Sequence, residues 1–310
     1  MLLPSLLFSL LGAFAVWLFV RRNPATEPRF TVAVLAILLL LPFLHFLPKF
    51  TVLLTASPAP PTDSHSQLLP ALWFTGFLFF ALRGLLDILS LARWNRRSRP
   101  AGDLPVFEQT LAELKISRRV ELRIHPDLNS PVVSGLRSPR IHLPESATTW
   151  SADTLKMALL HELGHVQRGD LWMAGLARLV CIFHWFNPAV WWLRRSFHSQ
   201  CEFACDAHLV KQGTDPRIYA HALCDVARSA AAPPLSLAMA GHVPLRERIL
   251  FLSRGGQRGS LALCAAIALT ASSAIAMSLI RFAPENEGSS TSFPDRETEL
   301  RFTADPFPAD

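Results

Sequence analysis

The chain is poor in charged residues, which make up only 17% of its 310 positions, against about 25% in soluble globular proteins. Cysteine and glycine are also scarce, with five and fourteen residues. These shortages exclude a small disulfide-stapled secreted fold and a fibrous or low-complexity chain. Half of the residues are apolar, which excludes a disordered chain and argues against an ordinary soluble enzyme.

What the chain has in abundance is long apolar stretches. A helix needs about 20 apolar residues to cross the hydrocarbon core of a membrane, and we predict four transmembrane helices, at about residues 2–20, 30–47, 68–92 and 260–280. The first stretch has no basic residues before it, and Arg21 and Arg22 follow it. This arrangement favours a retained span over a cleaved signal peptide.

The third predicted span carries two charges of opposite sign, Arg83 and Asp87. Residues four apart lie on the same face of a helix. We therefore expect this pair to neutralise itself within the span, either as a signal-transmission contact or as the paired end of a span near the membrane interface.

Arginine predicts the orientation, because positively charged loops stay on the cytoplasmic side. Arginines crowd loop 21–29 and the start of segment 93–259, whereas loop 48–67 carries one lysine. The prediction is a membrane domain (1–92), a cytoplasmic domain (93–259), a fourth helix (260–280) and a short outer tail (281–310), with the N-terminus also outside. Segment 93–259 holds 22 cations and 14 anions but no nucleic-acid-binding motif, so we assign its basic charge to the membrane surface.

The cytoplasmic segment has a mixed pattern of helices and strands. We predict a helix over 104–118, strands over 120–125, 131–133 and 140–143, and a turn around Gly135. The next helix is expected to begin at Ser151 or Asp153 and to end at Gly169, with Asp170 capping the helix after it.

One helix of this segment carries His161-Glu162-Leu163-Gly164-His165, an H-E-x-x-H motif. Histidines four residues apart lie on one helix face, so both imidazoles can reach a single zinc ion. Glu162 lies one step around the helix, where it can take a proton from water rather than bind the metal. The non-functional alternative is a helix with two surface histidines and an exposed glutamate.

A catalytic zinc site needs a third protein ligand and an open position. The downstream candidates are Glu202, Asp206, His184, His198 and His208. Glu202 and Asp206 form E-x-x-x-D on one helix face. Glu202 would complete a His2Glu site, and Asp206 would accept a hydrogen bond from a ligand histidine and fix its tautomer. The alternatives are that both acids only form surface ion pairs, or that Cys201 and Cys205 belong to a separate zinc site rather than being buried thiols.

The apolar run 171–193 is long enough to suggest a fifth span. A crossing there would place Glu202 on the opposite side of the membrane from His161 and His165. We therefore predict that this run does not cross, and that it is a buried or membrane-leaning helix of the cytoplasmic domain.

These motifs, in this order, resemble the BlaR/MecR-type antirepressor metallopeptidases, membrane proteases of the gluzincin kind. The resemblance covers residues 1–280 and is carried by SPVVSGLRSPRIHLPE (130–145), LLHELGHVQRGD (159–170), WFNPAVWWL (185–193), CEFACDAHL (201–209) and PLRERI (244–249).

The resemblance implies an α-helical membrane protein with an inserted α+β zincin-like metalloprotease domain, located in the inner membrane of a bacterium. It implies one Zn²⁺ per chain bound by His161, His165 and Glu202, with Glu162 as the base. The implied partners are the lipid bilayer and a protein substrate such as a cytoplasmic repressor, with an oligomer as a further option. Only about thirty residues follow Ile280, without an S-x-x-K motif, so direct β-lactam sensing by a sensor domain there is not expected.

The predicted reaction is hydrolysis of peptide bonds at the cytoplasmic face, in the chain itself, a repressor or another membrane protein. Val132 and Val133 are the candidates for an edge strand that pairs with an extended substrate. Candidates for transition-state stabilisation are His221, Tyr219, Arg246 and Arg248, among which the sequence does not choose. Residues 254–256 are a candidate region for self-cleavage.

Two other functions fit the same motifs. One is a constitutive quality-control metalloprotease of the HtpX type, which shares H-E-x-x-H and E-x-x-x-D but not this arrangement of spans. The other is a membrane signal transducer whose zinc site only stabilises the fold. Glu162 argues against the second, because a purely structural site has no need of a base.

Overall fold

The computed structural model describes residues 2–22, 28–44, 50–54, 68–229, 243–254 and 280–284. Within those ranges the helices are α1 (Leu2–Arg22), α2 (Pro28–Leu44), α3 (Leu68–Arg97), α4 (Pro105–Glu113), a 3₁₀ turn (Glu145–Thr149), α5 (Ala152–Arg168), α6 (Asp170–Phe183), α7 (Pro188–Lys211), α8 (Pro216–Ser229) and α9 (Leu245–Ser253). The strands are β1 (Phe50–Leu54), β2 (Arg99–Pro100), β3 (Glu121–His125), β4 (Val132–Ser134), β5 (Arg140–Pro144) and β6 (Ile280–Pro284).

A four-stranded sheet in the order β2-β3-β5-β4 lies beside the helices of the central domain. Strands β3 and β5 are parallel, with Leu122 opposite Ile141, and β4 is antiparallel to β5, with Val133 opposite Ile141. Gly135 follows β4 with φ +85°, a conformation that glycine adopts without steric cost. Because β4 is the last strand in this order, it forms one edge of the sheet.

Two large apolar clusters hold the described chain together, beside a small third one around Phe203 and Phe251, and α7 contributes to both large clusters. The first joins α1 and α2 to α6 and α7, and includes Phe30, Leu35 and Phe197. The second joins α5 to the sheet, α4, α8 and α9, and its fully buried members include Leu163 and Leu209. Since α7 runs from one cluster into the other, it connects the two N-terminal helices with the domain that carries H-E-x-x-H.

The first three predicted spans coincide with helices. Among the described residues, α3 is long and apolar enough to cross a membrane, and shorter apolar helices lie at Phe8–Leu18 and Pro28–Leu40. The fourth predicted span lies outside the described residues apart from its last residue, Ile280. That residue begins β6, which pairs in parallel with β1, so the segment after α2 and the segment that begins at Ile280 meet.

The structure corrects one predicted ion pair. Asp87 of α3 pairs with Arg178 of α6 instead of Arg83. Helix α6 packs alongside α3, and this packing places the charge of Arg178 next to Asp87.

The apolar run 171–193 does not form a continuous helix. It breaks at residues 184–187 into the end of α6 and the start of α7. Asn187 caps α7 by accepting a hydrogen bond from the backbone N–H of Ala189 at 3.1 Å, and Pro188 occupies the first turn. Both features favour a helix start at this point.

The end of α3 is attached to the sheet. The Trp94 ring stacks on His125 of β3 with a centroid distance of 4.1 Å, and it lies 4.5 Å from His142 of β5. Arg123 donates to the Ser98 hydroxyl at 2.8 Å and to its carbonyl oxygen at 2.6 Å. The helix that is long enough to cross a membrane thus contacts the central strands of the sheet directly.

Candidate metal centre

Helix α5 presents the two motif histidines side by side. Ser151 caps the helix by accepting from the backbone N–H of Thr154 at 3.1 Å, and Gly169, with φ +75°, ends it. Between these ends one helix face is buried, and His161 lies at its border with 7% of its surface exposed. The Nε2 atoms of His161 and His165 are 3.2 Å apart.

Helix α7 brings Glu202 to the same point. Its Oε2 atom lies 3.3 Å from His161 Nε2, and its Oε1 atom lies 3.6 Å from His165 Nε2. Tetrahedral zinc with bonds of about 2.0–2.1 Å separates its ligand atoms by roughly 3.4 Å. The donor set of two imidazoles and one carboxylate, at these spacings, fits a zinc ion.

Glu162 is the acid of this site that stays without a partner. In the described part of the chain its carboxylate has no hydrogen bond or ion pair. Burial raises the pKa of Glu162, and the nearby charges of His161 and His165 act against that rise. A carboxylate with a raised pKa is a better proton acceptor than an ordinary surface glutamate.

The pKa of Glu202 is shifted in the opposite direction. Burial would raise its pKa, but the hydrogen bond to His161 and the positive charge of Arg248 hold the pKa well below the usual range for glutamate. Glu202 is therefore ionised, which is the state a metal-binding carboxylate needs.

Asp170 contacts His165, the second histidine of the motif. Its Oδ2 atom lies 2.7 Å from His165 Nδ1, and Arg168 donates to Oδ1 at 3.3 Å. Burial lowers the pKa of His165, but the hydrogen bond to Asp170 and the nearby carboxylates more than compensate and raise it. The sequence predicts Asp170 at the N-cap of α6, but Gly169 takes that position and the Asp170 side chain contacts His165 instead.

Tyr219, the only tyrosine of the chain, holds the first histidine. Its hydroxyl lies 2.8 Å from His161 Nδ1 and donates to Asp206 Oδ1 at 2.6 Å. Both Tyr219 and Asp206 are fully buried. The Asp206 carboxylate is 3.6 Å from His161 Nδ1, so the shorter hydrogen-bonded connection between them runs through the tyrosine hydroxyl.

Arg248 of α9 joins these groups. It donates to both carboxylate oxygens of Asp206, at 2.9 and 2.6 Å, and to the Tyr219 hydroxyl at 3.1 Å. Its third nitrogen lies 3.2 Å from Glu202 Oε2. Arg248 thus neutralises the buried Asp206 and touches a predicted metal ligand.

The remaining candidates for the metal and for the transition state lie elsewhere. His221 and Arg246 are exposed and take no part in this cluster. His184 is close to the carbonyl oxygen of Leu38, and His208 contacts Gln167.

The two candidates for substrate binding lie on the sheet. Val132 and Val133 both belong to β4, and Val132 is 37% exposed at the sheet edge.

Cys205 is a competing ligand, because its sulfur lies within 4.8 Å of ligand nitrogens of His161 and His165. Its thiol, however, faces the backbone carbonyl of His161 at 3.3 Å, and a Cβ at Gly164 would lie 2.8 Å from the sulfur. Burial raises the pKa of this thiol well above its ordinary value, which opposes the thiolate that zinc requires. These observations favour Glu202 over Cys205 as the third ligand.

The part of the chain that contains this site matches a family of known proteins. Residues 30–252 match the model of a family described as BlaR1 peptidase M56. The chain is 31% identical over 144 residues to the regulatory protein BlaR1 of Bacillus licheniformis, an alignment that covers 46% of this chain and 24% of that protein.

Further relatives are the methicillin resistance mecR1 proteins of Staphylococcus aureus and Staphylococcus epidermidis. Each is 28% identical over 95 residues, which covers 30% of this chain and 16% of the relative. The chain therefore spans about a quarter or less of the length of these proteins.

Proposed function

The chain belongs to the BlaR1 peptidase M56 family, and from this premise we propose that it is a membrane zinc endopeptidase in a regulated proteolytic pathway. The observation that carries the proposal is the convergence of two imidazole nitrogens and one carboxylate oxygen pair at 3.2–3.6 Å. Next to them in the helix lies Glu162, a half-buried glutamate that can serve as the base that a peptide hydrolase needs.

Zinc at this position would supply Lewis acidity and make a water molecule more acidic. Glu162 then accepts the proton of the attacking water at its carboxylate and delivers it to the nitrogen of the leaving amine. Asp170 and Tyr219 fix the orientation and tautomer of His165 and His161, so that each Nε2 lone pair points to the site.

The edge strand β4 is the proposed binding place for substrate. Its far side has no partner strand among the described residues, and Val132 is exposed there. An extended peptide can add to such an edge through main-chain hydrogen bonds. Val132→Pro and Val133→Pro are expected to abolish cleavage while zinc stays bound; retained cleavage in both would remove this part of the proposal.

The membrane location rests on the apolar length of α3 and on family membership. The pairing of β1 with β6 supports a topology in which loop 48–67 and the tail are on one side. With the arginine distribution, it favours a cytoplasmic site. The proposed substrates are the chain itself and a repressor, since related proteins are named for regulation and for methicillin resistance.

The proposal is tested on full-length protein in detergent. Zinc is removed with a chelator and then restored, and self-cleavage and cleavage of casein are followed by mass spectrometry. We expect the apoprotein to be inactive and zinc to restore cleavage. Cleavage that persists in the zinc-free protein would overturn the assignment.

A further inference from the structure

Helices α6 and α7 form a hairpin whose four-residue tip contacts all three N-terminal helices. The His184 Nε2 atom lies 3.1 Å from the carbonyl oxygen of Leu38 in α2. Asn187 donates to the hydroxyl of Ser9 in α1 at 2.7 Å. The hairpin tip, residues 184–187, is therefore tied to α1 and α2 by buried polar contacts.

The tip is also tied to α3. The Trp185 indole donates to the carbonyl oxygen of Trp73 at 3.2 Å, and the Trp73 indole donates to the carbonyl oxygen of Phe183 at 3.2 Å. A Cβ at Gly76 would overlap the Trp185 ring. Glycine is thus needed at this point of α3 for the tip to approach.

Contacts between the two helices follow a regular order. Arg178 meets Asp87, Ile182 meets Gly84, and Trp185 meets Gly76. Residue numbers rise along α6 as they fall along α3, so the two helices are antiparallel. Asp87 and Gly76 are eleven positions apart, which corresponds to roughly 16 Å of helix, and the hairpin contacts α3 at both ends of that length.

The charges of the hairpin lie away from its tip. Residues 179–193 contain no charged side chain, and Arg178 and Arg194 flank them. Residues 68–82 of α3 are likewise uncharged, and Arg83 follows them. Along the chain, charged residues therefore lie between these uncharged segments and the segments that carry the metal centre, and two of these residues, Asp87 and Arg178, pair with each other. Such an arrangement is expected at a membrane surface.

The uncharged part of the hairpin shows apolar side chains on its outer surface. Leu179 is 43% exposed and Trp192 is 37% exposed. The neighbouring α3 exposes Leu82 to 54% and Phe79 to 63%. Aromatic rings of α3 and of the hairpin are in contact, with centroid distances of 5.2 Å for Phe77 and Phe183 and 5.5 Å for Phe80 and Trp191.

From these observations we infer that residues 179–193 form a re-entrant membrane hairpin. The hairpin enters the bilayer from the side of the metal centre, turns at residues 184–187, and returns without crossing. Its outer face contacts lipid acyl chains, and its tip hydrogen bonds remain inside the protein, as the hydrocarbon region requires. This inference rests on the proposed membrane location of α3.

The test uses nitroxide spin labels on the full-length chain in lipid vesicles. Cysteine is introduced singly at Leu179 and Trp192, with Leu82 as the lipid control and Arg217 as the water control, in a chain carrying Cys224→Ser and Cys264→Ser. Collision rates with oxygen and with a water-soluble nickel complex are measured. Labels at positions 179 and 192 are expected to collide more often with oxygen than with the nickel complex, as at position 82. The label at position 217 is expected to collide more often with the nickel complex.

Sidedness is measured in parallel with a membrane-impermeant maleimide, using Glu108→Cys before the hairpin and Arg217→Cys after it. Both are expected to react from the same side. Reaction from opposite sides would show a crossing span, and water-exposed labels at 179 and 192 would show a hairpin outside the lipid; either result overturns the inference. A water-exposed label at position 82 would instead overturn the proposed membrane location of α3, and the hairpin with it.

Discussion

The hydroxyl of Tyr219 lies 2.8 Å from Nδ1 of His161 and donates its own hydrogen to Asp206. For His161 to bind a metal through Nε2, Nδ1 must carry the proton and donate it to this hydroxyl. Because Tyr219 is fully buried, we expect it to position His161 from the side away from the metal rather than to contact a substrate.

We expect Tyr219→Phe to weaken zinc binding by about 10–100-fold, because the buried Nδ1–H of His161 loses its acceptor. Zinc affinity is measured by competition with a chromogenic chelator. His221→Phe, on the exposed side of the same helix, is the control and should bind zinc like the wild type. A Tyr219→Phe protein that melts earlier but binds zinc with unchanged affinity would show a purely structural role.

Asp170→Asn tests the support of the other histidine. Loss of the negative charge beside His165 Nδ1 is expected to lower zinc affinity by a similar factor of about 10–100. Asp153→Asn, at the exposed first turn of α5, is the matched control. Equal zinc affinities for the two variants would contradict a role for Asp170 in holding the ligand.

A buried hydrogen bond connects α2 with the ligand-bearing helix. Thr31 donates to Gln200 at 2.7 Å, both residues are fully buried, and Gln200 is two positions from Glu202. Thr31→Val leaves the Gln200 oxygen without this donor, at a cost of about 1–3 kcal/mol. We expect a lower melting temperature in detergent, whereas Thr75→Val on the exposed side of α3 should melt like the wild type. An unchanged Thr31→Val melting temperature would show that this contact is not needed.

His142 makes stability depend on pH. Burial, together with the charges of His125 and Arg123, lowers its pKa from 6.5 to about 4. The unfolded chain then binds more protons than the native one below pH 6.5, so this contribution is present at pH 7 and is lost as the pH falls towards 4. At pH 5 the loss is about 2 kcal/mol.

His142→Gln keeps a polar partner for Ser134 but cannot be protonated. Its melting temperature is expected to fall less than that of the wild type between pH 7 and pH 5. The melting temperature of the control variant His221→Gln, at an exposed position, should fall as much as that of the wild type. Equal falls in His142→Gln and the wild type would refute the assignment of this pH dependence to His142.

The local features of the site follow from the sequence. The four-residue spacing of His161 and His165 determines that they share a helix face, and Ser151 and Gly169 mark the ends of that helix. The E-x-x-x-D spacing likewise places Glu202 and Asp206 on one face of α7. Such relationships depend on helix geometry alone.

Contacts between residues far apart in the sequence could not be predicted in the same way. Tyr219 is 58 positions from His161, and nothing in its own segment distinguishes it from the other candidates. For Asp87, helical spacing points to Arg83 in the same helix, yet Asp87 pairs with Arg178, 91 positions away. Only the packing of α6 on α3 decides between these two arginines.

The central claim is tested most directly by comparing the wild type with Glu162→Gln in detergent, counting bound zinc and following self-cleavage and casein cleavage. The substitution preserves the shape of the side chain but removes the proton acceptor. We predict about one zinc ion per chain in both proteins and cleavage at least ~100-fold slower in the variant. Equal cleavage by both proteins, or a wild type that binds no zinc, would contradict the account.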